Sequence, residues 1–182
     1  MHDLTAANLR SAYGGECMAH MRYRIWAEHA EREGFPQVAR LFRSIALAEQ
    51  VHASNHFAEL RDFHGGEACS VAGQYGIGAT AEHLEGGIAG ELFEVNEMYP
   101  AYLEVAKLQG EQGALRSFRY ALSAESVHAE LFAQAKQAVE AGRDVELGPL
   151  QVCRVCGWTA AGEPPEQCPL CGAGRDKITT FA

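Results

Sequence analysis

Two Glu-x-x-His pairs, Glu49/His52 and Glu125/His128, stand 76 residues apart. Residues three apart share a helix face, so each pair can offer a carboxylate and an imidazole to one metal ion. Glu16 and Glu91 follow Gly15 and Gly90 and repeat at an offset of 75, almost in phase with the pairs. Each half of the chain thus contributes one lone Glu and one Glu-x-x-His, the recipe for a two-metal carboxylate site inside a four-helix bundle. Mixed oxygen and nitrogen donors with open positions point to iron and to redox chemistry on oxygen species.

Periodicity places these residues inside. Leu9, Ala12, Tyr13, Glu16, Ala19, Tyr23, Ala27 and Ala30 form one helical stripe, and Val38, Leu41, Phe42, Ile45, Glu49, His52 and His56 form a second. The third reads Leu84, Ile88, Glu91, Val95, Met98, Tyr102 and Val105. The fourth is Leu115, Phe118, Leu122, Glu125, His128, Phe132 and Val139. A carboxylate in a core costs several kcal/mol unless it is neutralised, and four facing one another demand cations.

Glu94 is surplus to the pseudo-symmetric set, since its counterpart in the first half is Ala19. One turn from Glu91, it is a candidate seventh ligand. Oxidation of the metals favours a hard carboxylate over a neutral imidazole, so Glu94 is expected to displace His52 in the oxidised state. Tyr23, two turns after Glu16, is placed to hydrogen-bond a ligand carboxylate. Tyr99 sits about 80° from Glu91 on an ideal helix. Glu97 reads as solvent-facing; His20, His29, His56 and His83 read as surface or core histidines, His56 being the nearest to the ligands.

Positioning these groups takes four helices. The first is expected from about Asp3 to Glu33 and the second from the Gly34-Phe35-Pro36 break to about Phe63. Residues His64 to Thr80 hold five glycines and no helical period, which suits a long crossover. The third runs from Ala81 to Gln109, with Pro100 forcing a kink or bulge, and the fourth ends near Gly142. A linker of 143–150 leads to a different object: Cys153-x-x-Cys156-Gly157 and Cys168-x-x-Cys171-Gly172, two knuckles that set four thiolates in tetrahedral reach. Spacing alone does not separate iron from zinc there. Cys17 and Cys69 are left over as small buried or loop thiols.

The 182 residues allow one full core and a small satellite. A net charge of −9 argues against nucleic acid or an acidic membrane. The start Met1-His2-Asp3-Leu4-Thr5 has no secretory pattern, and no run of 18 apolar residues occurs, so the expected location is cytoplasmic.

Gly15-Glu16, Arg22-Tyr23, Glu49-Gln50-Val51-His52, Gly90-Glu91-Leu92-Phe93-Glu94, Glu97-Met98-Tyr99-Pro100 and Glu125-Ser126-Val127-His128, followed by the knuckles, resemble a rubrerythrin over nearly the whole chain. The resemblance implies an all-α, ferritin-like four-helix bundle with one long crossover (1–142), a linker (143–150) and a rubredoxin-like Fe(Cys)4 domain (151–182). It implies a di-iron peroxidase that reduces hydrogen peroxide to water with electrons from NAD(P)H, passed on by a partner reductase or rubredoxin. Glu49 and Glu125 would bridge the irons, Glu16 would bind one with His52 or Glu94 alternating, and Glu91 and His128 would hold the other. Tyr23 and Tyr99 would hydrogen-bond these ligands and, with Glu94 and His52, take part in the chemistry. Rival readings are a ferroxidase and a structural or regulatory protein with zinc in the knuckles. From His128 the fourth helix continues for roughly 20 Å, so the tail begins far from its own di-iron site; a head-to-tail homodimer, each tail serving the neighbour's bundle, is expected.

Overall fold

The computed structural model describes residues 1–63 and 65–182; of the crossover expected from His64 to Thr80, His64 lies outside the described residues. Helix α1 (Asp3–Arg32) turns through Gly34, at φ 89°, into α2 (Pro36–Glu59), where Pro36 opens the helix because no N–H is needed there. Residues 65–79 cross the bundle without regular structure. Helix α3 (Thr80–Phe93) passes through a π-turn (Glu94–Met98) into α4 (Tyr99–Leu108), and Gly110 leads to α5 (Gln112–Glu140). The second helix stops at Glu59 rather than near Phe63. Among the described residues, no helix is long and apolar enough to cross a membrane.

The π-turn is the bulge that Pro100 predicts, one turn earlier in the chain. Tyr99 N–H reaches back five residues to the Glu94 carbonyl, and Pro100 has no N–H to give. A wide turn absorbs one extra residue, about 100° of helical phase. The expected 80° offset of Tyr99 from Glu91 is thereby cancelled, and Tyr99 faces the core with no exposed surface. Past this point the buried stripe moves by one: Ala106 is buried where Val105 was expected.

The core falls into two apolar clusters with the carboxylates between them. Trp26, Phe42, Leu84 and Phe132 pack at one end, and Leu9, Leu60, Tyr99 and Phe118 at the other. Each such side chain contributes about 1.5–3 kcal/mol on burial, which anchors four helices around a polar centre.

The tail is a three-stranded antiparallel sheet, β1 (Leu150–Cys153), β2 (Thr159–Ala161) and β3 (Ile178–Phe181), in the order β2-β1-β3. The end of α5 is far from the di-iron site, but the linker folds back and brings the chain's own tail to it, the approach expected of a neighbour's tail. Gly142, at φ 71°, ends α5 and reverses the chain. Asp144 then caps α2, accepting hydrogen bonds from Gln37 N at 2.7 Å and Val38 N at 3.2 Å. Arg40 donates to the Leu147 carbonyl at 2.7 Å and to that of Phe181 at 3.3 Å. An extended chain advances about 3.3 Å per residue against 1.5 Å in a helix, so a short return covers the length of α5 beyond His128. The chain's own tail therefore lies along α2 and α5.

Candidate metal centre

Glu16 from α1, Glu49 and His52 from α2, Glu91 from α3 and Glu125 and His128 from α5 converge in the bundle, all buried. Their donor atoms fall into two overlapping sets, Glu16/Glu49/His52/Glu125 and Glu49/Glu91/Glu125/His128, each within 4.8 Å. Glu49 and Glu125 belong to both. The Oε2 of Glu49 lies 3.0 Å from His52 Nδ1 and its Oε1 lies 3.4 Å from His128 Nδ1. The two oxygens of Glu125 lie 2.9 Å from His52 Nδ1 and 2.7 Å from His128 Nδ1. Each central carboxylate thus spans both imidazoles, which is the disposition of a bridge. Glu16 lies on the His52 side at 3.8 Å, and Glu91 on the His128 side at 3.7 Å.

The electrostatics fit two cations. Burial, then the charges of Glu94 and Glu49, push Glu16 well above the usual carboxylate range; burial, then Glu49 and Glu91, do the same to Glu125. Burial also works upward on Glu49, but the nearby imidazoles of His128 and His52 outweigh it and hold this group low. Burial opposes the charge on His128, yet Glu125, Glu49 and Glu91 raise it well above the ordinary imidazole value. Glu16 and Glu125 so placed otherwise retain protons, which divalent cations can replace. One oxygen of each, Glu16 Oε2, Glu49 Oε1, Glu91 Oε2 and Glu125 Oε1, is buried with no hydrogen-bond partner among the described residues. Each such acceptor costs about 1–3 kcal/mol, more when charged, unless a metal takes it.

Two tyrosines cross the cage. Tyr23 of α1 donates to Glu91 of α3, not to Glu16 on its own helix, and Tyr99 of α4 donates to Glu16. Behind Tyr99 stands a buried pair that the sequence reading left unassigned: His56 Nε2 lies 3.0 Å from the Tyr99 hydroxyl and its Nδ1 lies 2.8 Å from Ser117 Oγ. Burial and the nearby His52 lower His56 to about 3, so the ring is neutral. With Tyr99 donating to Glu16, His56 donates from Nε2 and accepts from Ser117.

The tail reaches the far side of both imidazoles. His128 Nε2 donates to Thr159 Oγ1 at 3.0 Å, which in turn donates to the Gly157 carbonyl at 3.0 Å. This fixes the tautomer that leaves His128 Nδ1 free for a metal. Gly157, at φ 80°, packs against the Nε2 face of His52. Asn55 donates to the Val155 carbonyl at 3.0 Å. The only sequence signal for these contacts was Gly157, legible as a knuckle glycine.

In the knuckles, Gly157 N donates to the Cys153 carbonyl and Gly172 N to the Cys168 carbonyl, both at 2.9 Å, so two equivalent turns face each other. The four sulfurs gather, with Cys153 and Cys171 3.7 Å apart and Cys156 and Cys168 3.5 Å apart. The hydrogen bond from Cys156 holds the Cys153 thiol down at about 5, while the same pairing pushes Cys156 up. All four ionise together only around a cation.

Glu94 is half-buried and stands outside both donor sets. Its Oε1 is 3.9 Å from the place a Cβ would take on Gly15, beside Glu16. His52 occupies the cage instead. His83 stacks on Trp26 at 4.8 Å with His29 edge-on, and His20 donates to the Ala46 carbonyl at 2.6 Å, all away from the donor sets.

Fold and site together define a di-iron carboxylate bundle joined to a tetrathiolate iron domain. The rubrerythrin family model matches residues 7–136, and the model for the rubredoxin-like domain of rubrerythrins matches 151–179. The chain belongs to the rubrerythrin family. It is 46% identical to rubrerythrin-2 of Clostridium acetobutylicum over 98% of this chain and 97% of that protein. It is 34% identical to nigerythrin of Nitratidesulfovibrio vulgaris, covering 97% of this chain and 86% of that one. A solved structure of nigerythrin in its fully reduced, all-ferrous state superposes with a TM-score of 0.85 at 32% identity, over 97% and 86% of the two chains.

Proposed function

We propose that this protein is a non-haem di-iron peroxidase that reduces hydrogen peroxide to water. Its electrons come from NAD(P)H, arrive through a partner reductase or rubredoxin, and enter at the Fe(Cys)4 site. The observation that carries this reading is the contact of Gly157 with His52: the residue after knuckle ligand Cys156 lies on the back of a cage imidazole. Two ferrous ions held there would supply two electrons to the O–O bond together, which would avoid a free hydroxyl radical.

The residues take the following parts. Glu49 and Glu125 would bridge the irons, as their spacing to both imidazoles supports; Glu16 and His52 would hold one iron, Glu91 and His128 the other. Tyr23 and Tyr99 fix the terminal carboxylates Glu91 and Glu16 by donating to them. Glu94, beside Glu16, would take the place of His52 on oxidised irons, because a second hard anion would suit the higher charge. A ferroxidase takes its electrons from iron and has no use for an input site packed on the cage, so the tail favours the peroxidase. Six free thiols suit a reducing cytoplasm. The reading includes a head-to-tail dimer in which two copies exchange tails at the linker and keep the same contacts between chains.

Iron-loaded protein given a reductase and NAD(P)H should consume hydrogen peroxide. The Cys153→Ser/Cys156→Ser variant should lose this turnover yet keep a single reaction of the pre-reduced di-iron site. Normal turnover by that variant rules out the electron route, and a colourless tail rules out iron in the knuckles.

A further inference from the structure

Between α1, the crossover and the α3–π-turn segment lies a cavity of about 390 Å³. Hydrogen peroxide needs little of it, since a water molecule's share of liquid volume is about 30 Å³. Met18, Val71, Ala89, Phe93 and Met98 give it largely apolar walls. Glu94 and the two glycines that precede the cage acids, Gly15 and Gly90, also line it. A Cβ on Gly15 would meet only Glu94 Oε1 at 3.9 Å, and one on Gly90 only Arg22 at 3.6 Å. Both glycines therefore leave the wall beside Glu94 and Arg22 free of side chains.

Among the described residues, one cation lines this apolar space. Arg22 lies over the rings of Trp26 and Tyr23, 5.2 and 5.5 Å from their centroids, and its terminal nitrogens reach toward Gly73 of the crossover and Gly90 of α3. Its Nε is buried without a hydrogen-bond partner, and among the described residues the guanidinium has no carboxylate partner. An N–H donor in apolar surroundings suits a ligand with a polar oxygen end and a hydrocarbon body.

We propose that this cavity binds organic hydroperoxides, so that the same di-iron site reduces an apolar ROOH as well as hydrogen peroxide. The inference rests on the peroxidase reading above. The hydrocarbon lies against Met18, Val71 and Phe93, the hydroperoxide end points past Glu94 to the cage, and Arg22 donates to an oxygen. The O–O bond is cleaved by two electrons, one from each ferrous ion of the reduced site, and two protons, giving one alcohol, ROH, and one water.

Two measurements test it. The alcohol 2-phenyl-2-propanol, titrated into the oxidised protein and followed by calorimetry, should bind saturably at one site. Ala89→Phe, which fills the cavity from α3, should weaken that binding by about tenfold or more. In single-turnover oxidation of the reduced protein, the same variant should lower the rate with cumene hydroperoxide, relative to hydrogen peroxide, by a similar factor of about ten. Val71→Trp fills the space from the crossover and serves if Ala89→Phe does not fold. Absence of saturable alcohol binding, or an unchanged ratio of the two oxidation rates in the filled variants, overturns the proposal while leaving the hydrogen peroxide reaction standing. A reduced protein inert to hydrogen peroxide overturns the peroxidase reading itself, and alcohol binding then reports the cavity alone.

Discussion

A β-carbon on Gly157 would lie 2.0 Å from Nε2 of His52, so the tail and the cage meet at a distance that only glycine permits. The backbone there, at φ 80°, also excludes an ordinary side chain. Gly157→Ala should therefore loosen the tail from the bundle by about 1–3 kcal/mol. Stopped-flow spectroscopy should find the Fe(Cys)4 bands intact but their oxidation after a peroxide pulse slowed. An unchanged rate would show that the electrons take another route.

Tyr99→Phe removes the donor to Glu16 and leaves His56 Nε2 without its acceptor. The expected loss is about 1–3 kcal/mol. His56→Phe should cost less, because Tyr99 still donates to Glu16 and the other half of the bundle packs Phe132 against Tyr23 in the equivalent place, 5.2 Å between ring centres. Denaturant unfolding of the iron-loaded variants measures both. Equal losses would mean that the imidazole matters as much as the hydroxyl.

Glu94→Ala should keep iron stoichiometry, since the two donor sets close without Glu94. Peroxide turnover should slow, and the absorption of the oxidised site should change more than that of the reduced site. Identical ligands in structures of both redox states would make Glu94 a wall of the cavity and no more.

Acid should loosen the crossover. The ring of His83 accepts a hydrogen bond from Gly78 N at 2.9 Å, and burial, then His29, lower its affinity for protons below the ordinary 6.5. Below 6.5 the unfolded chain binds a proton at this position that the folded one does not, so the contribution of His83 is full above 6.5 and falls as pH drops toward its folded value. Hydrogen exchange at Gly78 should quicken over that range, and His83→Gln should flatten the dependence.

Asp144→Ala takes the cap from α2 and one hold from the linker. The helix should lose about 1 kcal/mol, and limited proteolysis should cut the linker sooner than in the parent protein.

The cage was legible because charged residues in apolar helical stripes have few explanations: Glu16, Glu49, Glu91 and Glu125 occupy core positions that only a shared function justifies. The bulge at Pro100 was legible in kind, but its wide form, and so the inward turn of Tyr99, depends on which carbonyl Tyr99 N–H selects. The tail's docking was not legible. It hangs on the turn at Gly142 and on Asp144 and Arg40, polar residues whose partners are backbone groups more than 100 positions away, and neither periodicity nor motif registers such contacts. His56 escaped assignment for a related reason, as its value lies in a hydroxyl brought up by another helix.

The wide turn at Glu94–Met98 also resolves the mismatch between the two repeat offsets. Through Glu91 the second half copies the first at 75 residues; from Tyr99 onward the offset is 76, pairing Tyr23 with Tyr99, Phe42 with Phe118, and His52 with His128. The matched rings keep matched spacings, 5.8 Å for Tyr23–Phe42 and 6.0 Å for Tyr99–Phe118. One half therefore carries a single-residue insertion, and the helix has absorbed it without disturbing the two-fold relation on either side. That half alone gained a carboxylate, Glu94, at the start of the inserted turn. An asymmetry one residue long separates the surroundings of the two donor sets, and it places the extra acid beside Gly15 and Glu16.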